Sequence, residues 1–394
     1  MNIFDKYLEE ILSLVKKNEK KLSINDFNEF KGITLEIPPI NFGSDLSTNI
    51  CMILAKLNKQ DPKVLALKIK ELIGKNISDF KNVEIAGPGF LNIDLSKKAT
   101  FNIISNIFKE GKHYGSAKSN LAYNIEFVSA NPTGPMHVGH CRGAIFGDVL
   151  SNLLRFNGNK VTKEYYINDY GNQIKNFVKS VYLRIREIKY KEKFINEKNL
   201  YPGEYIKEIA NKILTNNDFE FNSFEEHYDI LSRESLKYSM EMIKNDLDKL
   251  GIKHDSFISE KKIVEKNNVT IAVNQLKKNK YVEEGYLEPP KGEENKNWKK
   301  TKRLIFKSTL FGDDANRALQ KDDGTWTYFA NDLAYHFDKV SRNFDKLINI
   351  LGADHTGYIK RIEGGVKALS ANKTVLECKV CQLVKLFKNG SPFK

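Results

Sequence analysis

The stretch that decides the fold is residues 123–140, which read YNIEFVSANPTGPMHVGH. Residues 123–128 are a largely apolar run that is typical of a buried strand. A loop with proline and glycine follows, and the pattern after it predicts a helix that reaches about Phe156, before Asn157-Gly158. A strand, a glycine-bearing loop and a helix in this order are typical of the opening of a nucleotide-binding α/β domain.

Two histidines, His137 and His140, lie three residues apart where the predicted helix begins. Backbone N–H groups at a helix N-terminus point outward, and the helix dipole favours negative charge there. Gly139 leaves room for a bulky ligand, and both imidazoles can donate hydrogen bonds to phosphate oxygens. The segment therefore predicts a triphosphate site that stabilises charge on the attacked α-phosphate. A metal pair or two structural histidines are alternatives, which the position directly after a strand disfavours.

Charge favours a polyanionic partner. The 394 residues include 63 Lys+Arg and 50 Asp+Glu, a net charge of +13. This favours nucleic acid before a membrane, although a Lys-, Asn- and Ile-rich sequence can also reflect genomic base composition. We find no secretory-signal pattern at the N-terminus and no run of about 18 apolar residues, so no membrane association is expected. Four scattered cysteines do not suggest a disulfide framework, and the cytoplasm is the expected compartment.

The pair Cys378 and Cys381 has the spacing of a redox or zinc motif. A zinc site needs four ligands, and neither a second pair nor a histidine lies nearby in the sequence. The surrounding run alternates in polarity, which indicates strand residues, and we expect no protein-bound metal.

Two domains are predicted. Residues 1–115 form a small α+β domain, with a helix over residues 1–17 and a helix starting at Ser44 or Asp45. Residues 116–394 form an α/β domain with a helical insertion at about 175–300, which includes a polar loop at 289–296.

The histidine segment resembles the HIGH motif of class I aminoacyl-tRNA synthetases, in the form His-Val-Gly-His. Its flanks narrow the resemblance to the arginyl-tRNA synthetase family, whose motifs have counterparts here in the same order. These are EFVSANPTG at 126–134, YINDYGNQ at 166–173, GDD at 312–314, DGTWTYFAND at 323–332 and GADHTGY at 352–358. The first domain, with GPGFLN at 87–92, resembles the family's N-terminal tRNA-binding domain. The implied fold is a Rossmann-type class I synthetase catalytic domain with a helical insertion, preceded by a small α+β domain.

The resemblance also implies site residues. A guanidinium is planar, permanently charged and best held by carboxylates, and the family match places Glu126 and Asp332 around it. Asn131 matches a contact to the α-amino end of arginine, and His355 lies close to that end. The full arginine set is Glu126, Ser129, Asn131, Tyr328, Asp332 and His355. The ATP set is Thr133, Gly134, His137, Gly139, His140, Asp354 and His355, in which His137 and His140 are the expected catalytic contacts.

The implied activity is ATP-dependent activation of L-arginine to arginyl-adenylate and its transfer to tRNA(Arg), with Mg²⁺ entering on the ATP. A monomer is expected. Residues 386–394 resemble the lead-in to a second, KMSK-type ATP motif, so the chain is expected to be truncated before that motif and the anticodon-binding domain. A naturally shortened relative is the alternative to truncation. The functional alternatives are another class I synthetase and a non-catalytic tRNA-binding paralogue.

Overall fold

The computed structural model describes residues 2–218, 220–287 and 301–393. The chain divides into two compact units, Met1–Lys118 and Ser119–Lys394, close to the boundary expected at residue 115. The polar loop predicted at 289–296 lies outside the described residues. None of the helices in the described part of the chain carries the apolar length that a bilayer crossing needs.

The first unit packs helices against an antiparallel sheet of four strands. Its helices are α1 (Ile3–Lys17), α2 (Glu19–Leu22), α3 (Ile50–Leu57), α4 (Pro62–Asn76) and α5 (Lys97–Glu110). Its strands are β1 (Leu35–Glu36), β2 (Leu46–Thr48), β3 (Phe80–Ala86) and β4 (Phe90–Leu95), in the sheet order β1-β2-β4-β3. The helix predicted over residues 1–17 is confirmed as α1, whose buried side chains Tyr7, Ile11 and Val15 repeat every four residues.

The helix predicted from Ser44 or Asp45 is wrong at its start. Residues 46–48 instead form β2, which is buried and pairs with β4, and the helix begins only at Ile50. Asp45 does not cap a helix, because its Oδ2 accepts a hydrogen bond of 2.7 Å from the backbone N–H of Leu95. Pairing with a strand about fifty residues away overrides the local capping signal.

The second unit is built on a parallel sheet of five strands. They are β5 (Ala122–Glu126), β6 (Lys160–Ile167), β7 (Ser256–Ser259), β11 (Lys346–Gly352) and β12 (Val375–Cys381). The spatial order β12-β11-β5-β6-β7, with every neighbouring pair parallel, is the Rossmann order in which the first strand is central. The α/β class predicted from residues 123–140 is confirmed.

The remaining elements connect and cover this sheet. The helices are α6 (Val138–Phe156), α7 (Asn172–Tyr190), α8 (Glu204–Asn216), α9 (Phe224–Lys249), α10 (Glu260–Glu265), α11 (Asn268–Lys278), α12 (Tyr328–Ser341) and α13 (Ile359–Ser370). The short strands are β8 (Val282–Gly285), β9 (Arg303–Phe306) and β10 (Arg317–Ala318) of an antiparallel sheet, and the hairpin β13 (Leu386–Lys388) and β14 (Ser391–Phe393). Helices α7, α8 and α9 follow β6 and precede β7 in the chain. They pack around a hydrophobic core of their own.

The insertion predicted at 175–300 is too long, because β7 lies within it. This strand pairs with β6 and sets Phe257 beside Tyr165 in the parallel register. It has only four residues, all partly exposed, so no apolar run marks it in the sequence. The position of β7 matters for function, because the residues that follow its carboxyl end enter the candidate active site described below.

Gly139, Gly143 and Gly147 lie four residues apart in the sequence, which predicts close packing of α6 on the sheet, and this packing is found at Gly147. A Cβ at this position would lie 2.3 Å from Cγ of Phe127, the first residue after β5. Helix α6 therefore approaches the end of the central strand only because residue 147 has no side chain. At Gly143 the nearest atom would be 3.9 Å away, which is ordinary contact.

Candidate active site

The carboxyl ends of β5 and β11 form the crevice where the strand order reverses. Ligands of open α/β sheets bind at this position, because the connections from the two strands leave in opposite directions. The loop from β5 leads to His137 at the start of α6, and a short 3₁₀ helix at Ala353–Tyr358 follows β11. The sequence motifs thus lie at one edge of the sheet.

The rings of His137 and His140 stack at 3.7 Å with an interplanar angle of 17°. Nδ1 of His137 accepts a hydrogen bond of 3.1 Å from the N–H of Gly139, and Nδ1 of His140 accepts one of 3.2 Å from the N–H of His137. In a neutral ring the proton then lies on Nε2. Both Nε2–H groups remain as donors for an anion in front of the helix.

The electrostatics of the pair keep His140 neutral at pH 7. Burial, followed by the neighbouring His137, lowers the pKa of His140 to about 4. Gly139 is needed for this arrangement, since a Cβ there would lie 2.9 Å from Cε1 of His137. The motif therefore presents hydrogen-bond donors rather than fixed positive charge at His140.

Glu126 ends β5 as a buried carboxylate with partners on both oxygens. Oε2 lies 2.6 Å from Nζ of Lys339 on α12, a lysine with no exposed surface. Oε1 accepts a hydrogen bond of 3.1 Å from Oγ of Ser129, which itself accepts one of 3.1 Å from the N–H of Tyr166. The structure thus brings together the predicted residues Glu126 and Ser129, and it adds Lys339 as an internal counter-charge.

Asp332 lies on the same helix as Lys339 and is part-buried. Its Oδ2 accepts a hydrogen bond from the hydroxyl of Tyr358. Burial raises the pKa of Asp332 to about 6; the hydrogen bond opposes this change and the negative charge of Glu126 adds to it. Glu126 and Asp332, the two carboxylates that the resemblance assigns to the guanidinium, are therefore close enough for the charge of one to change the pKa of the other.

A third carboxylate, Glu260, was missed by the sequence reasoning. It is the first residue of α10, directly after β7, and is 8% exposed. Burial, then the negative charges of Asp332 and Asp169, raises its pKa to about 7, against hydrogen bonds from Tyr166 and Asn331. Recognition of β7 as a sheet strand would have marked the residue after it as a site candidate.

Tyr166 lies at the centre of these acidic groups. Its ring is 4.3 Å from that of Tyr335. Burial and the nearby charges of four carboxylates raise its pKa; these are Glu260, Asp332, Glu126 and Asp169. This cluster of carboxylates is suited to a cationic side chain.

The other predicted residues border the crevice with differing exposure. Tyr328 is 81% exposed, one turn before Asp332 on α12. Asn131 is exposed, and Thr133 is buried with 8% exposure. A Cβ at Gly134 would lie 3.0 Å from the ring of Tyr205 on α8, so this glycine lets the helical insertion contact the loop.

Asp354 and His355 lie in the 3₁₀ helix after β11. Both are exposed, and Nε2 of His355 is 3.4 Å from Oδ2 of Asp354. Across the described ranges, no group of three or more His, Cys, Asp or Glu residues is arranged to hold a metal ion. The two cysteines of the CxxC pair lie in β12, as predicted, and are free thiols.

Family comparisons agree with this geometry. The family "tRNA synthetases class I (R), catalytic domain" matches residues 103–375, so the crevice belongs to a class I aminoacyl-tRNA synthetase catalytic domain. The family "Arginyl tRNA synthetase N terminal domain" matches residues 9–95. The chain belongs to the arginyl-tRNA synthetase family.

Individual proteins that are similar to this chain are also described as arginine–tRNA ligases or arginyl-tRNA synthetases. An "Arginine--tRNA ligase" of Pelagibacter ubique is 52% identical over all of this chain, and one of Wolbachia sp. subsp. Brugia malayi is 43% identical. A crystal structure from Campylobacter jejuni, described as an arginyl-tRNA synthetase, matches 76% of this chain with a TM-score of 0.65 and 34% identity. The chain spans 69% of each of these curated relatives and 63% of the crystallised chain.

Proposed function

We propose that the protein activates L-arginine with ATP and transfers it to tRNA(Arg). The observation that carries the proposal is the cluster of carboxylates Glu126, Asp332 and Glu260, which we call the acidic pocket, at the same edge of the sheet as the stacked histidine pair. The pocket suits a cationic amino acid, and the histidines suit a triphosphate. The names of the curated relatives support the same reaction.

The charge of the pocket fits one cationic side chain. Lys339 already neutralises Glu126, so the negative charge left for a ligand includes that of Asp332 and Glu260. Both carboxyl groups have raised pKa values, and a bound cation would favour their ionised forms. A guanidinium can satisfy two carboxylates at once through its planar fork, which the rounder ammonium of lysine does less well.

The chemistry requires no protein nucleophile. A carboxylate oxygen of arginine attacks the α-phosphorus of ATP, the bond from that phosphorus to the bridging oxygen breaks, and pyrophosphate leaves with the electron pair. The Nε2–H groups of His137 and His140 donate to phosphate oxygens as negative charge builds on them. A ribose hydroxyl of the terminal adenosine of tRNA then attacks the adenylate carbonyl and releases AMP. Mg²⁺ enters as part of the ATP substrate.

The first unit offers a surface for tRNA phosphates. A groove of about 600 Å³ between α4 and β3 is lined by Lys68, Lys70, Lys75 and Lys81. Its one carboxylate, Glu71, is 2.5 Å from Lys75 and so is already paired. We call this the lysine groove and assign it to the RNA backbone, since lysine clusters bind phosphate with little sequence preference. A monomer in the cytoplasm is the proposed setting.

The test is calorimetric binding of L-arginine to the 394-residue chain, with and without a non-hydrolysable ATP analogue. We expect arginine to bind in preference to L-lysine and to L-citrulline, the neutral isostere. Asp332→Asn should weaken arginine binding by about tenfold or more, since a charge-assisted hydrogen bond is lost. Asp338→Asn is the matched control, because Asp338 lies on the same helix and pairs with Arg342 instead.

Binding of tRNA without arginine or ATP would sink the proposal and favour the non-catalytic paralogue. Equal binding of citrulline and arginine would remove the role of the acidic pocket and favour another class I synthetase.

A further inference from the structure

The loop that leaves β5 begins with an unusual backbone turn. Val128 and Ser129 have φ angles of +70° and +40°, in the left-handed region that disfavours residues with a Cβ. The N–H of Ser129 donates a hydrogen bond of 3.0 Å to the carbonyl of Phe127, two residues back. This is a γ-turn with a positive central φ, a rare and strained form, and its central residue is β-branched. Surrounding contacts must therefore hold it.

Two side chains from distant segments of the chain bind the carbonyl groups of this turn and of the residue that follows it. Nε2 of His254, from the segment before β7, lies 3.3 Å from the carbonyl oxygen of Phe127, the same oxygen that closes the turn. The hydroxyl of Tyr165 on β6 donates a bond of 2.7 Å to the carbonyl of Ala130. The backbone between β5 and Asn131 is thus held from outside the loop at both ends.

The hydrogen bond from Nε2 of His254 determines the state of the other ring nitrogen, Nδ1. The carbonyl of Phe127 can only accept, so the proton lies on Nε2 and Nδ1 is left as an acceptor. Nδ1 is buried and has no hydrogen-bond partner among the residues that the structure describes. Burial also lowers the pKa of His254 to about 4, so the ring is neutral at pH 7. A buried polar atom without a partner destabilises the folded state, so the imidazole is not explained by stability.

The surroundings of His254 would equally suit a hydrocarbon ring. The ring centroids of Phe127, Tyr165 and Phe257 lie 4.2, 5.4 and 5.7 Å from that of the imidazole. Phenylalanine would keep these aromatic contacts and would remove the unpaired nitrogen. What it would lose is the Nε2–H donor to the turn.

We propose that His254 is a positioning residue of the amino-acid site, whose Nε2–H holds the Phe127–Ser129 turn closed. The turn sets Ser129 between Glu126 and the N–H of Tyr166, and it directs the backbone toward Asn131. An open turn would displace Asn131, the residue of this loop that the resemblance assigns to the α-amino end of the substrate. The carboxylates Asp332 and Glu260 come from other segments and would stay in place, and Glu126 would keep its ion pair with Lys339. The inference rests on the proposed function for its ligand.

The test compares His254→Phe with the unaltered chain, with L-arginine and with δ-guanidinovalerate, which is arginine without its α-amino group. We expect the affinity for arginine to fall about five- to tenfold and that for δ-guanidinovalerate to change less than twofold. The unfolding midpoint should stay the same or rise. His254→Gln carries an amide N–H at a similar reach and should recover the arginine affinity. Tyr238→Phe is the control for aromatic substitution, because the Tyr238 hydroxyl bonds Asn216 away from the crevice.

Equal losses for both ligands in His254→Phe, or none for either, would overturn the proposal. A second readout does not depend on a ligand. Hydrogen exchange of the Ser129 amide, which donates to the turn, should accelerate in His254→Phe and stay slow in His254→Gln. Unchanged exchange also overturns the proposal. An unaltered chain that binds no arginine, with exchange behaving as expected, would instead refute only the proposed function.

Discussion

The ammonium of Lys339 lies 2.6 Å from Oε2 of Glu126, and neither its nitrogen nor its stem reaches solvent. A second bond of 3.0 Å joins the same ammonium to Oδ1 of Asn349 on β11. Lys339 thus links α12 to β5 and β11, the two strands that border the crevice. The carboxylate that we propose for the substrate's guanidinium is therefore also part of the domain's internal framework.

Replacement of Lys339 by methionine should destabilise the fold severely. The change removes one partner of a buried ion pair and leaves Glu126 uncompensated, which typically costs about 3–5 kcal/mol. Urea unfolding measures the free energy. The matched control is Lys367→Met, at an exposed lysine on α13. Adding Glu126→Gln to Lys339→Met should recover part of the loss, and no recovery would contradict the pairing.

Arginine affinity should depend on pH between about 5 and 8. The pKa values of Asp332 and Glu260 are raised to about 6 and about 7, so both groups become protonated as pH falls through this range. The cation binds the ionised forms, so affinity rises with pH and binding near pH 6.5 releases protons. Calorimetry in two buffers of different ionisation enthalpy counts the protons. A flat profile with no proton release would remove both carboxylates from the guanidinium site.

Asp332→Asn should stabilise the ligand-free protein at pH 7.5 while it weakens arginine binding. A carboxyl group whose pKa is higher folded than unfolded binds more protons when folded. Its effect on stability therefore becomes unfavourable as pH rises from about 4 to about 6. Removing that group should raise the free energy of unfolding by on the order of 2 kcal/mol at pH 7.5, with little change at pH 4. Chemical denaturation at the two pH values checks this, and a loss of stability at pH 7.5 would contradict it.

Gly147→Ala should disrupt the packing of α6 on the central strand. The new methyl group would meet the ring of Phe127 at 2.3 Å, and such overpacking costs about 1–3 kcal/mol. The comparison variant is Gly74→Ala in α4, where no atom of another described residue lies within 4 Å of the added Cβ. Helix propensity there predicts a gain of up to about 1 kcal/mol. Thermal unfolding distinguishes the two, and equal effects would refute the packing argument.

The lysine groove should set part of the salt dependence of tRNA binding. The affinity falls as salt rises, and each phosphate contact steepens the plot of log affinity against log salt by about 0.7–0.9. Lys68→Ala with Lys81→Ala should reduce the slope by about one to two. A pair of exposed lysines elsewhere in the same unit, Lys31→Ala with Lys56→Ala, should leave it unchanged. A binding titration at several salt concentrations measures both slopes, and identical slopes would exclude the groove as a contact.

The elements that the sequence predicts well are those whose signals are local. The strand predicted at residues 123–128 is found as β5, which ends at Glu126, two residues earlier than predicted. The end of α6 near Phe156 and the close packing at Gly147 also follow from apolar runs and glycine positions within about thirty residues. The adjacency of Glu126 and Ser129 follows from the same short stretch. The sequence signal for each of these features lies within one short stretch of the chain.

The residues that escaped prediction depend on pairings between distant segments. Glu260 enters the site through β7, a four-residue strand with no apolar run. His254 reaches the turn at Phe127 across 127 positions, and Lys339 reaches Glu126 across 213. Asp45 failed as a helix cap because β4 binds its carboxylate. No local pattern records such contacts, because they arise only when the sheet assembles.

Because β5 lies between β6 and β11, one of its edges stays unpaired until β11 has been synthesised. Asp345, just before β11, accepts a hydrogen bond from the N–H of Ala122 at the start of β5, 223 residues earlier. At synthesis rates of about 5–20 residues per second, one edge of β5 stays unpaired for roughly 10 to 45 s after it leaves the ribosome. During that interval a buried-type strand offers its N–H and C=O groups to any other chain. Production of the protein should therefore depend on chaperones that cover such edges, and more so where translation is slow.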